Sequence, residues 1–391
     1  MGAVLERLLR RAESARRRGD DRPAAINMAR VGEYVGLRTL VELETFHAQV
    51  ALAERAGALR VQRDVHSGDG TKLLRLSVRD AAALARHLGV SLLDERVAAA
   101  ELHLDPWRAR FPVLEEVLAA WRSSRKLRGA GPEAAPDLAD AASAVAARLD
   151  DAGAERVLRR ESARLFGDSK RLEKLTRWLE LLATGELADS GLDEADVWAM
   201  LGLRREPQPL LIAGGGRVVL DGTSVPLVRP YLGVPMTAVQ SFATDARCLV
   251  SIENLASFHD ASCARGAEHV LLLYTGGMPS PAWRRAYSRI LACLAPTLPI
   301  YHWGDIDEGG FRIAAKLAET AAMAGRQLRP WRMSPDALAE IEGSGTTTPT
   351  PAQLARMCAW ARRAGWDELA SALQARPLCL EQEQLEPQLP P

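Results

Sequence analysis

Apolar and polar residues follow two rhythms along the chain, one typical of helices and the other of strands. Apolar residues three and four positions apart predict a helix from Leu37 to Gly57. Two strands are then predicted, Leu59 to Val65 and Leu73 to Val78, where apolar residues occupy every second position. The turn between them, His66 to Gly70, contains the Gly and Asp that a hairpin needs, and a further helix is predicted from Arg79 to Leu88.

This order of helix, hairpin and helix is that of a winged-helix DNA-binding unit. Three basic residues, Arg60, Lys72 and Arg75, are predicted on the outer face of the hairpin, where they could contact phosphate. A small α+β element that only holds subunits together would have the same pattern. The sequence leaves both interpretations open.

The stretch from Gly129 to Pro136 has the composition of a linker and precedes a helical region. Within that region, the string from Arg159 to Glu173 carries basic residues on either side of a Gly-Asp-Ser turn. Asp168 or Ser169 is suited to cap the next helix. Three basic side chains are expected to remain free for phosphate: Arg164, Lys170 and Arg171. The alternative is a plain helix cap with solvated charges.

Beyond Pro207 the pattern changes to short runs rich in Val, Ile and Leu. The predicted strands are Leu210 to Ala213, Arg217 to Leu220, Arg247 to Glu253, His269 to Thr275 and Leu298 to Asp305. Helices are predicted from Pro281 to Leu294 and from Phe311 to Ala324. Apolar strands that alternate with helices predict an α/β domain, with a parallel sheet covered by helices on both faces. Gly214 to Gly216 lack the Lys-Ser/Thr of a phosphate-binding loop, which predicts a turn.

The composition fits a folded chain of two or three domains, because 391 residues of which 47% are hydrophobic can build real cores. We predict an N-terminal arm with the winged-helix-like unit at 1–128, a helical region at 129–208 and the α/β domain at 209–391. The formal net charge is zero, but it is unevenly spread. Residues 1–128 carry 23 basic and 17 acidic groups, 129–200 carry 9 and 15, and 201–391 carry 18 of each. Only the first segment has the positive balance expected of a surface that faces phosphate.

The sequence argues against membrane-spanning and secreted proteins. The uncharged run from Ile290 to Gly304 contains two prolines and is shorter than the ~20 residues of a spanning helix. The Arg-rich N-terminus lacks the apolar segment of a signal peptide. The cysteines have no C-x-x-C spacing, which predicts buried thiols in a reducing cytoplasm. They are Cys248, Cys263, Cys293, Cys358 and Cys379.

Acidic residues stand at the ends of two predicted strands. Glu253 ends one, while Asp305 and Asp307 follow the other in the run GDIDEGG at 304–310. Ligands of α/β sheets collect at the carboxyl ends of the strands, and side chains two apart in an extended chain point to the same side. The three carboxylates are therefore predicted to converge on a hard cation, Mg²⁺ or Mn²⁺ rather than zinc. The alternative is that the aspartates cap the helix predicted from Phe311.

The order of these motifs is that of a Toprim catalytic domain. In that order an acid ends one strand, a strand, a helix and another strand follow, and Gly-Asp-x-Asp-x-Gly then stands at the start of a helix. The segments Ser251 to Asn254, Gly304 to Ile313 and Leu380 to Glu383 resemble the Toprim domain of the nuclease subunit of the Wadjet plasmid-defence systems. That subunit is itself similar to the topoisomerase VI A subunit. The string from Phe166 to Glu173 resembles a further signature of the family. The resemblance extends from Arg160 to the C-terminus and is weaker over the first 130 residues, which suggests a divergent subtype.

The resemblance implies a Toprim fold preceded by a CAP-like helical region and by the winged-helix-like arm. It also implies DNA cleavage by a dimer that works with an SMC-like ATPase, a kleisin and a small accessory subunit. Glu253 would be a metal ligand or general acid/base, and Asp305 and Asp307 would be metal ligands. Glu383 would add an outer contact, unless it is a solvated residue near the C-terminus.

Histidines and tryptophans add weaker candidates. His302 precedes Asp305 by three residues and is a possible accessory base, as is His259, which follows Glu253 by six. Packing is the commoner role of such histidines. Tryptophans can stack on bases, but core packing is the expected role of Trp283, Trp303 and Trp331.

The related topoisomerases attack DNA with a tyrosine. This chain has no tyrosine between positions 35 and 230, and Phe166, where the tyrosine motif would fall, has no hydroxyl. Tyr34 is the remaining candidate. Water activated by cations at the three acids is therefore the predicted attacker. Since one such site cuts one strand, a double-strand break predicts a homodimer with two sites.

Three other functions stay open at this point. The chain could break DNA through a tyrosine in the manner of topoisomerase VI A, or transfer nucleotides as a primase does. It could also be a non-catalytic DNA-binding adaptor that carries an inactive Toprim fold. The acids argue against an adaptor, because three convergent carboxylates repel phosphate unless a metal neutralises them.

Overall fold

The alternating residues between Leu59 and Val78 form strands of a three-stranded antiparallel sheet in the computed structural model of the chain. The structure describes residues 2–20, 22–64, 70–151, 155–338 and 346–391. They belong to two units, Met1–Pro136 and Asp137–Pro391. The boundary predicted after residue 128 lies near the end of the first unit, and the one predicted after residue 208 lies inside the second.

The first unit combines helices with the small sheet, whose strand order is β1-β3-β2. Its elements are α1 (Gly2–Arg17), β1 (Ala25–Asn27), α2 (Gly32–Val35), α3 (Leu40–Arg55), β2 (Leu59–Arg63), β3 (Leu73–Val78), α4 (Ala81–Leu88), α5 (Leu93–Arg108) and α6 (Val113–Arg122). The predicted order of helix, hairpin strands and helix is present. The predicted turn at His66 to Gly70 lies outside the described residues except for Gly70. The winged-helix assignment stays a prediction.

Local side-chain caps set the ends of the two predicted helices in this unit. Helix α3 begins later than predicted because Thr39 and Glu42 form a reciprocal capping box. Helix α4 begins after Asp80, whose carboxylate accepts a hydrogen bond from the Ala82 N–H. It ends where Gly89 adopts the left-handed conformation.

The segment predicted as a linker is packed. Pro132, Ala134 and Ala135 are buried, and the Trp121 indole donates to the Ala130 carbonyl at 3.2 Å. The expectation of an exposed linker at Gly129 to Pro136 is therefore wrong. Its Ala and Pro residues also suit close packing, which composition alone does not distinguish from a solvated connection.

The second unit begins with helices and ends with a sheet domain. Its helical part contains α7 (Ala135–Asp150, which starts just before the boundary), β4 (Arg156–Val157), α8 (Leu158–Phe166), α9 (Arg171–Lys174), α10 (Thr176–Thr184), α11 (Glu194–Met200) and β5 (Leu203–Arg204). Strands β4 and β5 pair in parallel.

The sheet part contains two sheets. Its strands are β6 (Leu210–Ala213), β7 (Arg217–Leu220), β8 (Thr223–Pro226), β9 (Leu232–Val234), β10 (Val239–Ala243), β11 (Cys248–Ile252), β12 (Val270–Tyr274), β13 (Ile300–Trp303) and β14 (Leu328–Pro330). Its helices are α12 (Leu255–Cys263), α13 (Pro281–Cys293), α14 (Glu308–Met323), α15 (Pro351–Arg363) and α16 (Asp367–Ala375). The larger sheet has the order β14-β13-β11-β12-β6-β9, and the smaller one β10-β7-β8.

The larger sheet is mixed rather than wholly parallel. Strands β13, β11 and β12 are parallel, as predicted, and β14, which was not predicted, is parallel to β13. Strand β6 runs antiparallel to β12 and to β9. A parallel neighbour requires a crossover connection, usually a helix. The glycine turn Gly214 to Gly216 leads from β6 directly into β7 of the other sheet, so this strand has no such crossover.

Trp283 and Trp303 are buried, which confirms that these two tryptophans pack in the core as expected. Trp331 is half-buried, with its ring edge against Tyr301. All five cysteines are free, but Cys263 and Cys293 are exposed, so the expectation of buried thiols is wrong for these two. No helix among the described residues is long and apolar enough to cross a bilayer.

The basic string around Phe166 is held by ion pairs. The Arg171 guanidinium donates to Asp137 at 2.7 Å and to Asp140 at 2.6 Å. Arg164 donates to the buried Glu161 at 2.6 Å. The expectation that Arg164 and Arg171 remain free is therefore wrong, because neighbouring carboxylates satisfy them, whereas Lys170 is exposed.

We expect Arg171→Gln to lower the free energy of unfolding by about 1 kcal/mol, because it leaves two half-buried carboxylates without their shared partner. Thermal or denaturant unfolding of the full chain measures this. Lys170→Gln is the matched control and should leave stability unchanged. Equal stability of both variants would contradict a structural role for Arg171.

Candidate functional site

The predicted acids lie at the ends of two neighbouring strands. Strands β11 and β13 are parallel, with Ile252 opposite Trp303. Glu253 follows β11 directly, and its N–H donates to the Trp303 carbonyl at 3.1 Å. The Asp305 N–H donates to Glu253 Oε2 at 3.3 Å. The structure thus brings Glu253 and Asp305 together at the carboxyl edge of the sheet.

Asp307 has a second role in the same loop. It is the N-cap of α14, and its Oδ1 accepts a hydrogen bond from the Gly310 N–H at 2.7 Å. Asp307 therefore caps α14, which is the alternative role that the sequence left open. It occupies one carboxylate oxygen, and among the described residues the other oxygen has no hydrogen bond.

Two glycines allow this loop to pass so close to the acids. A Cβ at Gly304 would lie 2.5 Å from Glu253 Oε2, and one at Gly310 would lie 2.2 Å from the Asp305 carbonyl oxygen. At Gly310 the obstacle is backbone, so a residue with a side chain would displace the loop from the helix. At Gly304 the obstacles are the side chains of Glu253 and His302, which would have to move aside.

The C-terminal segment completes the site. The backbone N–H of Gln382 donates to Asp305 Oδ1 at 2.6 Å, and its buried side chain donates to the Trp303 carbonyl and accepts from the Asn254 N–H. Glu383 accepts from the Asn254 side chain at 2.6 Å. Glu383 is therefore held beside the site. The role of Gln382 was missed, although it lies in a segment singled out by resemblance.

Burial and mutual repulsion dominate the electrostatics of the acids. Burial raises the pKa of Glu253 well above its ordinary value, and the charges of Asp305 and Asp307 raise it further. Burial also raises the pKa of Asp305 to about 6, against the opposing hydrogen bond from Gln382. Ionisation of Glu253 and Asp305 at neutral pH therefore lowers the free energy of unfolding of the protein.

No cation among the described residues offsets this charge, because Glu253, Asp305 and Asp307 form no ion pair there. The nearest arginines on the following helices are used otherwise. Arg312 and Arg356 both bind Glu308, at 2.7 and 2.6 Å. The protein thus neutralises the charge of Glu308 but not the charges of Glu253, Asp305 and Asp307.

The chemistry of these donors suits a divalent cation, because they are carboxylate oxygens whose charge no cation of the protein compensates. As the side chains stand, no three His, Cys, Asp or Glu residues of the described part enclose a position for a metal ion. Asp305 and Asp307 each use one oxygen in a backbone hydrogen bond. Their second oxygens and the Glu253 carboxylate are the groups that would have to converge.

His302 lies on β13 next to the acids and is fully buried. Burial lowers its pKa to about 3, so the imidazole is neutral. Its Nδ1 contacts the Ser251 hydroxyl at 2.9 Å, while Nε2 has no hydrogen-bond partner among the described residues. A Cβ atom placed on Gly304 would lie 2.9 Å from His302 Nε2 and 2.5 Å from Glu253 Oε2, so both side chains approach the same point. His302 is thus a neutral neighbour of Glu253.

The remaining candidates lie apart from the acids or engage in packing. His259 is exposed on α12 and lies edge-on to Tyr231. In the first unit, the Tyr34 hydroxyl contacts His47 and accepts from the Leu73 N–H. Three basic residues of that unit are exposed: Arg60, Lys72 and Arg75. Their role in DNA binding stays a prediction.

Residues 211–389 match the family model described as Wadjet protein JetD, C-terminal. The match covers less than half of the chain but includes all the residues of the acidic site, so this part of the chain is similar to the C-terminal region of the Wadjet protein JetD. No curated protein matches the chain.

We expect Asp305→Asn to stabilise the metal-free protein near neutral pH. The raised pKa of Asp305 means that the folded state holds its proton more tightly than the unfolded state, so ionisation costs stability as the pH rises from about 4 through 6. Asn keeps the acceptor for Gln382 without the charge. The gain should be roughly 1–3 kcal/mol near pH 8 and vanish near pH 4.

Denaturant unfolding with a chelator present measures this gain, and the exposed Asp260→Asn is the control, for which no gain is expected. A gain that is independent of pH would show that the charge of Asp305 carries no penalty.

Proposed function

We propose, from the similarity of residues 211–389 to the C-terminal region of JetD, that this chain is the DNA-cleaving subunit of a Wadjet anti-plasmid complex. In this proposal it is a metal-dependent endonuclease with a Toprim-type catalytic domain and hydrolyses phosphodiester bonds of circular double-stranded DNA. The observation that carries the proposal is the group of partly buried carboxylates, Glu253, Asp305 and Asp307, which has no ion-pairing cation in the described residues.

Such a group is costly to fold, and the hydrogen bonds from Gln382 to Asp305 and from Gly310 to Asp307 need only one oxygen of each aspartate. Buried charges in proteins are normally paired, and Glu308 in the same loop shows that this chain pairs an acid when structure alone is at stake. Burial and the neighbouring acids raise the pKa of Glu253 and of Asp305, which suits a site that meets Mg²⁺ or Mn²⁺ together with a phosphate. A site for a phosphate alone would need the opposite charge.

Hydrolysis adds a water oxygen to phosphorus and breaks one P–O ester bond, so one proton leaves the water and one reaches the departing oxygen. A bound divalent cation supplies charge stabilisation and acidifies the attacking water. Asp305 and Asp307 would hold it through their second oxygens. Glu253 is suited to carry the proton, because its raised pKa brings its two protonation states closer together at neutral pH.

Attack by water is favoured over attack by a tyrosine. The tyrosine nearest to the acids in the sheet is Tyr274, which pairs with Ile252 across β11 and β12. Burial raises its pKa, and its ring packs against Phe258. A buried phenol whose ionisation is disfavoured is a poor nucleophile, so the topoisomerase VI A-like alternative has little support at this site.

The similarity to the Wadjet protein JetD supports a role in a multi-subunit complex. We further propose that the partners are an SMC-like ATPase, a kleisin and a small accessory subunit, and that the chain acts as a homodimer in the cytoplasm. One carboxylate site per chain serves one strand, so two chains would cut both strands of a duplex.

We expect Asp305→Asn to reduce plasmid cleavage in Mg²⁺ or Mn²⁺ by about 100-fold or more, since a transition-state stabiliser is lost. Cleavage is measured as nicked and linear plasmid on a gel, with the chain in its complete complex. The Asp260→Asn variant should cleave as the wild type does.

The ends of the products distinguish the mechanisms. Hydrolysis leaves DNA that enters a denaturing gel free of protein, whereas attack by a tyrosine leaves protein bound to one end. Undiminished cleavage by Asp305→Asn, or products bound to protein, would contradict the proposal. Nucleotide incorporation without cleavage would favour the primase-like alternative.

A further inference from the structure

Gln382 is the residue of the C-terminal segment whose side chain contacts both strand ends of the acidic site. The residue is only 1% exposed. Its amide nitrogen donates to the Trp303 carbonyl at 3.0 Å, and its amide oxygen accepts from the Asn254 N–H at 2.8 Å. Trp303 is the last residue of β13, and Asn254 follows Glu253 after the end of β11. One side chain thus bridges the two strands whose ends carry the acids.

The bridge needs a side chain that has a donor and an acceptor on the same group. A carbonyl only accepts and an N–H only donates, so the two partners fix the orientation of the Gln382 amide. The register of β11 and β13 ends at Ile252 and Trp303, and the Glu253 N–H makes the next bond, to the Trp303 carbonyl. The amide of Gln382 therefore continues the contact between the two strands where their backbones stop pairing.

Gln382 also holds Asp305 through its own backbone. The Gln382 N–H donates to Asp305 Oδ1 at 2.6 Å, while the Asp305 N–H donates to Glu253 Oε2 at 3.3 Å. Within the described part of the chain, Asp305 Oδ2 has neither a hydrogen bond nor an ion pair. Gln382 therefore fixes this carboxylate by one oxygen and leaves the other oxygen for a ligand.

The C-terminal segment does not depend on the Gln382 side chain for its attachment. Before Gln382, Leu380 and Ile306 exchange two backbone hydrogen bonds, at 2.8 and 3.1 Å. After it, the Trp331 indole donates to the Gln388 carbonyl at 2.6 Å. The chain is thus anchored on both sides of Gln382, and the buried amide is free to serve the acidic site.

We propose that Gln382 is a positioning residue for the divalent cation, which holds the two strand ends and Asp305 in the arrangement that a cation shared with Glu253 requires. Residues that orient metal ligands without touching the metal typically change metal affinity by roughly 10–100-fold when they are altered. This inference rests on the proposed metal-dependent function. It adds a residue that contacts neither the cation nor the DNA.

The test compares Gln382→Met with Gln384→Met in the full chain. Met keeps the length of the side chain and removes its donor and its acceptor. Gln384 belongs to the same short turn but is exposed, so it is the matched control. Mn²⁺ is the probe, and the electron paramagnetic resonance signal of the free ion gives its affinity for the protein. Thermal unfolding without metal shows whether each variant is folded.

We expect Gln382→Met to weaken Mn²⁺ binding by about tenfold or more, because the segment that holds Asp305 is then no longer tied to the strand ends. Gln384→Met should bind Mn²⁺ as the wild type does. Gln382→Asn keeps the amide, but its side chain is too short to reach both strand ends. It should weaken binding in the same way, and it replaces Gln382→Met if that variant does not fold.

Two further measurements separate positioning from a general loss of stability. In a double-mutant cycle, Gln382→Met added to Asp305→Asn should cost much less Mn²⁺ affinity than it costs in the wild type, because Gln382 acts through Asp305. In the complete complex, a high Mn²⁺ concentration should restore plasmid cleavage by Gln382→Met but not by Asp305→Asn. Lower stability with unchanged Mn²⁺ affinity would make Gln382 purely structural.

Equal Mn²⁺ affinity of the wild type and a folded Gln382→Met variant would overturn this inference and leave the nuclease proposal intact. Additive losses in the cycle would also overturn it, since Gln382 would then act independently of Asp305. A wild type that binds no Mn²⁺ would contradict the metal-dependent function itself, and this inference with it.

Discussion

The repulsion among buried carboxylates at one edge of a sheet is the constraint on which the site depends. Strands β11 and β13 are adjacent and parallel, so their following residues must meet, and Glu253 and Asp305 do so within a single hydrogen bond of each other. The same apolar strands that build the core thus place charge where water is scarce. Burial then raises the pKa of both acids. A fold with such an edge tolerates the acids only where the backbone holds them in place.

The backbone holds them through its N–H groups rather than through cations. Gln382 donates to Asp305 and Gly310 donates to Asp307, so each aspartate is fixed by one oxygen. Fixing by neutral donors leaves the net charge of the site intact. The ion pairs of Glu308 show that arginines are within reach of this loop.

Local patterns in the sequence were sufficient for the strands and for the meeting of the acids. Strands β11, β12 and β13 are continuous apolar runs, and the position of Glu253 and Asp305 follows from parallel pairing alone. The antiparallel β6 was not predictable in the same way, since its direction depends on the connection that leaves it. The contacts of Gln382 join distant segments, which no spacing within the sequence encodes. The pairing of Arg171 with α7 has the same origin.

The zero net charge of the chain takes on a different meaning once the contacts are known. Arg164, Arg171, Arg312 and Arg356 are each bound to acids within the second unit, so they add little to its outer field. Nonspecific attraction to DNA depends on cations that are free to replace counterions. These four arginines are therefore not free to act in that way. The equal numbers of acidic and basic residues from 201 to 391 leave little long-range field of either sign.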